Sequence, residues 1–138
     1  MTTVYPDLKD ASVFITGGGS GIGAALTEAF LRQGAQVAFV QRSDAGAFCD
    51  DMERTTGNRP LFISCDITDP TALSAALHVA AAAQGPVRVL VNNAANDQRH
   101  SLQEVTPEFM DWSLAINFKC YVNAIRAVAP AMQAAARA

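Results

Sequence analysis

The chain has 138 residues, of which 50% are hydrophobic and 17% charged, with a formal net charge of −3. That composition excludes a disordered or collagen-like chain, and the length suffices for one domain with its own core. An acidic chain lacks the positive field that draws phosphate backbones, and no apolar run approaches the roughly 20 residues of a membrane span, so neither nucleic acid nor membrane is expected as a partner.

The opening Met1–Asp10 has no basic region followed by an apolar stretch, so it does not read as a secretory signal. Ser12–Thr16 is a short β-branched and aromatic run, the pattern of a strand buried on both faces. Gly17-Gly18-Gly19-Ser20-Gly21 follows. The stretch from Ile22 to Gln33 then repeats apolar residues at helical spacing, with Gly34 placed to end it. Gln36–Gln41 reads as a second strand. Asp44 to Thr56 reads as a helix with Asp44 at its N-cap and Gly57 as its stop.

Pro60–Ser64 is a third strand. Asp69-Pro70 opens the next helix, with an acceptor at the N-cap and proline at the first helical position. That helix runs to about Gln84 and stops at Gly85-Pro86. Val87–Asn92 is a fourth strand, and Asn93–Val105 a polar loop. Thr106-Pro107-Glu108 starts a helix that continues to the end, with Pro130 expected to kink or break it. The order β-α-β-α-β-α-β-loop-α predicts an α/β fold, a Rossmann-type doubly wound parallel sheet with helices on both faces.

Cys49, Cys65 and Cys120 are odd in number, widely spaced and lack a C-x-x-C pair. They read as reduced thiols of a cytoplasmic protein, with no disulfide framework and no metal site.

The chemistry is carried first by Thr16-Gly17-Gly18-Gly19-Ser20-Gly21-Ile22-Gly23. Glycines let the backbone turn sharply and approach a ligand, and the helix that follows offers free N–H groups at its positive end. Between a strand and a helix, such a turn points to pyrophosphate binding, against the alternative of a tight turn with no ligand. No Gly-Lys-Ser/Thr follows, so it is not a P-loop of the Walker type.

The G-x-x-x-G-x-G spacing resembles the short-chain dehydrogenase/reductase family. Three further elements agree with it: Asp66-Ile67 after the third strand, Asn92-Asn93-Ala94-Ala95 after the fourth, and Asn117 in the last helix. The resemblance implies that Gly17, Ser20, Gly21, Ile22 and Gly23 cradle the pyrophosphate of NADP or NAD. It implies that Asp66 and Ile67 meet the adenine, and that Asn92 and Ala94 lie near the nicotinamide. It makes Asn117 the catalytic asparagine that holds a water in a proton relay. Read alone, Asp66 is equally a turn acceptor, Asn92-Asn93 a pair satisfying loop backbone, and Asn117 a mid-helix residue facing solvent. Another Rossmann enzyme, such as a methyltransferase, would use the glycine turn but leaves Asn92-Asn93-Ala94-Ala95 and Asn117 without a role.

The end of the second strand discriminates the cofactor. Gln41 stands where NAD enzymes place an acid for the ribose hydroxyls, and Arg42 follows it. An uncharged residue beside a cation leans towards NADP, with stacking of Arg42 on adenine as the alternative. Tyr5–Lys9, the polar loop Ala95–His100 and Glu104–Pro107 resemble the aldose dehydrogenases of this family, D-xylose 1-dehydrogenases in particular. That implies an alcohol or sugar substrate. His100 itself reads as a loop-bracing side chain.

The family's catalytic serine and Tyr-x-x-x-Lys have no counterpart in the sequence. Tyr5 precedes the first strand, and Tyr121 is followed by Ile125 where lysine is required. The expectation is therefore residues 1–138 as an NAD(P)-binding Rossmann domain, incomplete after the fourth strand and its helix. Such a chain is expected to be inactive alone. A non-catalytic nucleotide-binding or oligomerising module is the alternative, and uncovered apolar helix faces predict a homo-oligomer.

Overall fold

The computed structural model describes residues 3–136. A short 3-10 turn, Pro6–Leu8, precedes β1 (Ser12–Thr16), α1 (Gly21–Arg32), β2 (Gln36–Gln41), α2 (Gly46–Thr56), β3 (Leu61–Ser64), α3 (Pro70–Gln84) and β4 (Val89–Val91). The four strands form one parallel sheet in the order β3-β2-β1-β4. This is the Rossmann arrangement, with the chain order reversing beside β1.

Side chains alternate across the two faces of each strand. Phe14, Ala38 and Val40 pack on one face against Leu73, Ala76 and Ala80 of α3 and against Cys120, Ala124 and Val128. Val13, Ile15, Val37 and Phe39 pack on the other against Leu31, Cys49 and Met52. β1 is fully buried along its length, which is why all five of its residues are apolar or small and hydroxylated.

Local chemistry sets most boundaries. Gly34 and Gly57 take left-handed φ values of 80° and 79° at the ends of α1 and α2. Asp69 accepts the N–H groups of Thr71 and Ala72 at 2.9 and 3.2 Å, with Pro70 at the first helical position.

α1 lies one residue earlier than the expected Ile22–Gln33, and four further boundaries differ from expectation. α2 begins at Gly46, because Asp44 accepts only the Gly46 N–H, at 3.4 Å, and Ala45 takes the N-cap position. β3 begins at Leu61, one residue after Pro60, which has no N–H to give the ladder. β4 is three residues long and not six: Val87, Arg88 and Asn92 fall outside it, and just beyond it the chain turns, with the Asn93 N–H reaching back to the Val91 carbonyl at 3.1 Å and the Thr16 hydroxyl at 3.0 Å. The final helix is composite: α4 (Pro107–Leu114), a π-helical turn (Ala115–Lys119) and α5 (Cys120–Ala136).

α5 does not stop at Pro130. Arg126 and Pro130 both lie on its exposed side, so the carbonyl that loses its partner faces water. Within the polar loop, Leu102–Glu104 forms a 3-10 turn closed by a Ser101–Glu104 capping box. No helix among the described residues is long and apolar enough to cross a membrane.

Candidate functional site

The carboxyl ends of all four parallel strands converge on one edge, where ligands of open α/β sheets bind. The glycine turn forms the floor. Gly17 and Gly21 hold left-handed φ values of 69° and 54°, which only glycine adopts freely. A Cβ on Gly23 would collide with the Gly17 carbonyl, and one on Gly18 with Phe39 and the Thr27 hydroxyl. Thr27 is buried and donates its hydroxyl to the Gly18 carbonyl at 2.8 Å, fixing α1 against the turn.

Ser20 caps α1 without a side-chain bond, and the first-turn N–H groups of Gly21, Ile22 and Gly23 have no partner within the helix. Ile22 is 76% exposed and nothing lies within 4 Å of a Cβ built on Gly21, so this end of the helix is open.

A cleft of about 350 Å³ runs from this turn across the ends of β2 and β3 and is roofed by Trp112 of α4 and Ile116 of the π turn. Gly17, Gln41, Arg42, Asp66, Ile67 and Ala94 all line it. Gln41 is held by its amide, which donates to the Ser43 carbonyl at 3.1 Å and lies near the Ser43 hydroxyl at 3.2 Å. Asp66 accepts the Thr68 hydroxyl at 2.7 Å and the Thr68 N–H at 3.0 Å. Those two bonds, with the nearby Arg42 charge, hold its carboxyl below the ordinary 3.8. Asp66 therefore presents a charged, locally braced carboxylate beside a cation.

The β4 end is built differently. The buried Thr16 hydroxyl accepts the N–H groups of Asn93 and Ala94, both at 3.0 Å. The Asn93 amide donates back to the carbonyls of Thr16 and Gly17 at 3.0 and 3.1 Å. Asn117 does not face solvent freely: its amide accepts the Asn96 N–H and donates to the Asn96 carbonyl, both at 2.8 Å. Tyr121 donates its hydroxyl to the Ala94 carbonyl at 2.7 Å, and burial pushes its pKa up. Asn92 keeps a buried Oδ1 with no protein partner, a spare acceptor at the head of the same loop.

Six of the expected site residues thus share the cleft wall. Ser20, Gly21, Ile22 and Gly23 sit at the helix end beside it, and Asn92 and Asn117 flank the loop on its far side. The reading of residues alone missed Thr16, Asn93, Trp112 and Tyr121. Asn93 stood in the quoted Asn-Asn-Ala-Ala, and the Thr16 hydroxyl at a buried strand end was a second available signal. The free cysteines are all buried; Cys65 lines the cleft.

A glycine turn at the head of a 3-2-1-4 parallel sheet, opening onto a cleft with a braced acid and a cation, defines a Rossmann domain of the dinucleotide-binding kind. The model of the family described as short chain dehydrogenase matches residues 11–138, and the chain belongs to that family. It is 50% identical over 131 residues to the "Probable galactose dehydrogenase GalD" of Rhizobium meliloti, covering 94% of this chain and 51% of the relative. It is 41% identical over 133 residues to the D-xylose 1-dehydrogenase of Caulobacter vibrioides, covering 96% and 52%. Among solved structures, L-sorbose reductase from Gluconobacter frateurii, complexed with NADPH and L-sorbose, superposes with a TM-score of 0.86. That match has 26% identity and covers 92% of this chain and 49% of the other. The chain spans about half the length of the curated relatives it matches.

Proposed function

We propose that residues 1–138 are the NAD(P)-binding Rossmann part of a short-chain dehydrogenase that moves hydride to or from a carbon bearing a hydroxyl on a sugar or other alcohol. The observation that carries this reading is the cleft itself, with its open helix end at one side and Gln41, Arg42 and Asp66 at the other. The dinucleotide, when bound, supplies the hydride acceptor or donor. The residues fit it: a glycine floor that a Cβ would fill, and a buried Asn92 acceptor without a partner.

In this reading Gly17, Ser20, Gly21, Ile22 and Gly23 hold the pyrophosphate on N–H groups. Gln41 and Arg42 face the adenosine ribose, and Asp66 and Ile67 the adenine. Asn92 and Ala94 stand on the nicotinamide side, where Asn117 orders the loop and holds a water for proton transfer. Arg42 favours the 2′-phosphate of NADP, since Gln41 brings no opposing charge. The sugar class rests on the two sugar-dehydrogenase relatives. Three buried free thiols suit a reducing compartment, the cytoplasm.

The 138 residues alone do not turn over. Tyr5 lies outside the cleft, 58% exposed. The Tyr121 hydroxyl is committed to Ala94, with Ile125 where a lysine would be needed.

Met110, Leu114, Phe118, Val122 and Ile125 form an exposed apolar stripe along α4, the π turn and α5. A stripe of this kind favours a homo-oligomer, and light scattering that returns a monomer contradicts it.

The test of the cofactor reading is a fluorescence titration with NADPH and NADH. NADPH binds more tightly, and Arg42→Ala weakens it by about ten-fold while NADH changes little. Absence of binding by either nucleotide overturns the reading.

A further inference from the structure

We propose that Tyr121 is a positioning residue for the nicotinamide side of the cleft, an inference that rests on the dinucleotide reading above. Tyr121 projects from the first turn of α5 onto the loop that leaves β4. Its hydroxyl donates to the Ala94 carbonyl at 2.7 Å, while the Ala94 N–H is taken by Thr16 at 3.0 Å. Ala94 is therefore held on both its backbone groups, and its methyl forms part of the cleft wall. Four residues earlier on the same helical run, Asn117 holds both backbone groups of Asn96. One helix face thus grips the loop at two places.

The ring of Tyr121 packs against the core formed by Phe14, Cys120 and Ala124, a role that phenylalanine would fill. The hydroxyl adds nothing to that packing. What it adds is a fixed direction for the Ala94 carbonyl, and so for the peptide that follows into the polar loop. A part-buried carbonyl that loses its donor is free to rotate towards water or another partner. With it, the Ala94 part of the cleft wall, which faces the nicotinamide side in this reading, loses its shape, whereas Gln41 and Asp66 on the adenosine side keep their own bonds to Ser43 and Thr68.

Tyr121→Phe tests this, with Tyr5→Phe as the control outside the cleft. The probes are the reduced dinucleotide that the parent chain binds more tightly and a fragment of it that lacks nicotinamide, 2′,5′-ADP or ADP. Tyr121→Phe weakens the dinucleotide by about five-fold and the fragment by less than about two-fold. Equal weakening of both probes marks a merely structural residue, and no weakening of the dinucleotide shows that the bond positions nothing; either overturns the proposal. Amide hydrogen exchange in the absence of nucleotide gives a second reading. Exchange at residues 94–96 accelerates in Tyr121→Phe and stays unchanged in Tyr5→Phe; equal protection in parent and Tyr121→Phe also overturns it. Failure of the parent chain to bind either probe overturns the dinucleotide reading, and this inference with it.

Discussion

The two ends of the cleft are made by different means. At the ends of β1, β2 and β3 the chain uses backbone: glycines at left-handed angles, a free helix end, and Asp66 braced by a residue two positions on. At the end of β4 it uses side chains reaching over long distances, Thr16 and Asn93 between β1 and β4, Asn117 and Tyr121 from the final helix. The first end is held mostly by residues near it in sequence, Thr27 on the Gly18 carbonyl and Thr68 on Asp66. The second is rigid only while its distant partners hold it. Substitution in the glycine floor is therefore expected to be all-or-none in effect, and substitution of the bracing side chains at either end to be graded.

The largest effect is expected at the glycine floor. Gly23→Ala places a methyl against the Gly17 carbonyl and the Asn93 amide, both fixed, so the turn must open. Destabilisation of about 3 kcal/mol or more is expected in urea denaturation, with loss of nucleotide binding. An unchanged midpoint would show that α1 can move away from the turn.

Asn93→Ala ranks next. It removes two bonds to the Thr16 and Gly17 carbonyls and leaves both acceptors unpaired. A loss of about 1–3 kcal/mol is expected by the same measurement, with the fold retained. A loss as severe as that of Gly23→Ala would erase the distinction between the two ends.

Asp66 contributes the smallest effect, and its sign is fixed by its surroundings. Its pKa is lowered in the folded chain, so its stabilising contribution is complete above the ordinary value of 3.8. That contribution fades as pH falls through the lowered value. Asp66→Asn should therefore flatten the acid limb of a stability profile below about pH 4 and leave the profile near neutrality parallel to the parent. A change of slope at neutral pH contradicts the assignment.

The same division explains what the sequence disclosed. Gly34, Gly57, Asp69-Pro70 and Thr106-Pro107 act on neighbours within a few residues, so their roles are readable in order along the chain. The glycine turn is readable for the same reason, and so is the sheet class; Asp66 and Asn117 are singled out by the family resemblance, and Asn117 acts on Asn96, 21 residues away. Thr16 and Asn93 are 77 residues apart, and Tyr121 and Ala94 are 27 apart, so nothing local announces either pair. Asp44 shows the opposite failure: a good local N-cap lost its place to Ala45 by the way the chain enters α2. Pro130 was expected to interrupt a helix whose exposed side tolerates it.

Backbone amide chemical-shift mapping during a titration with NADPH or NADH tests the central claim most directly, because it reports on both ends of the cleft at once. A dinucleotide spanning the cleft shifts the amides of Gly17–Gly23, of Arg42 and Asp66, and of Ala94–Asn96 in one saturable process. Shifts confined to the outer faces of the helices, or no shifts at any nucleotide concentration, would contradict it.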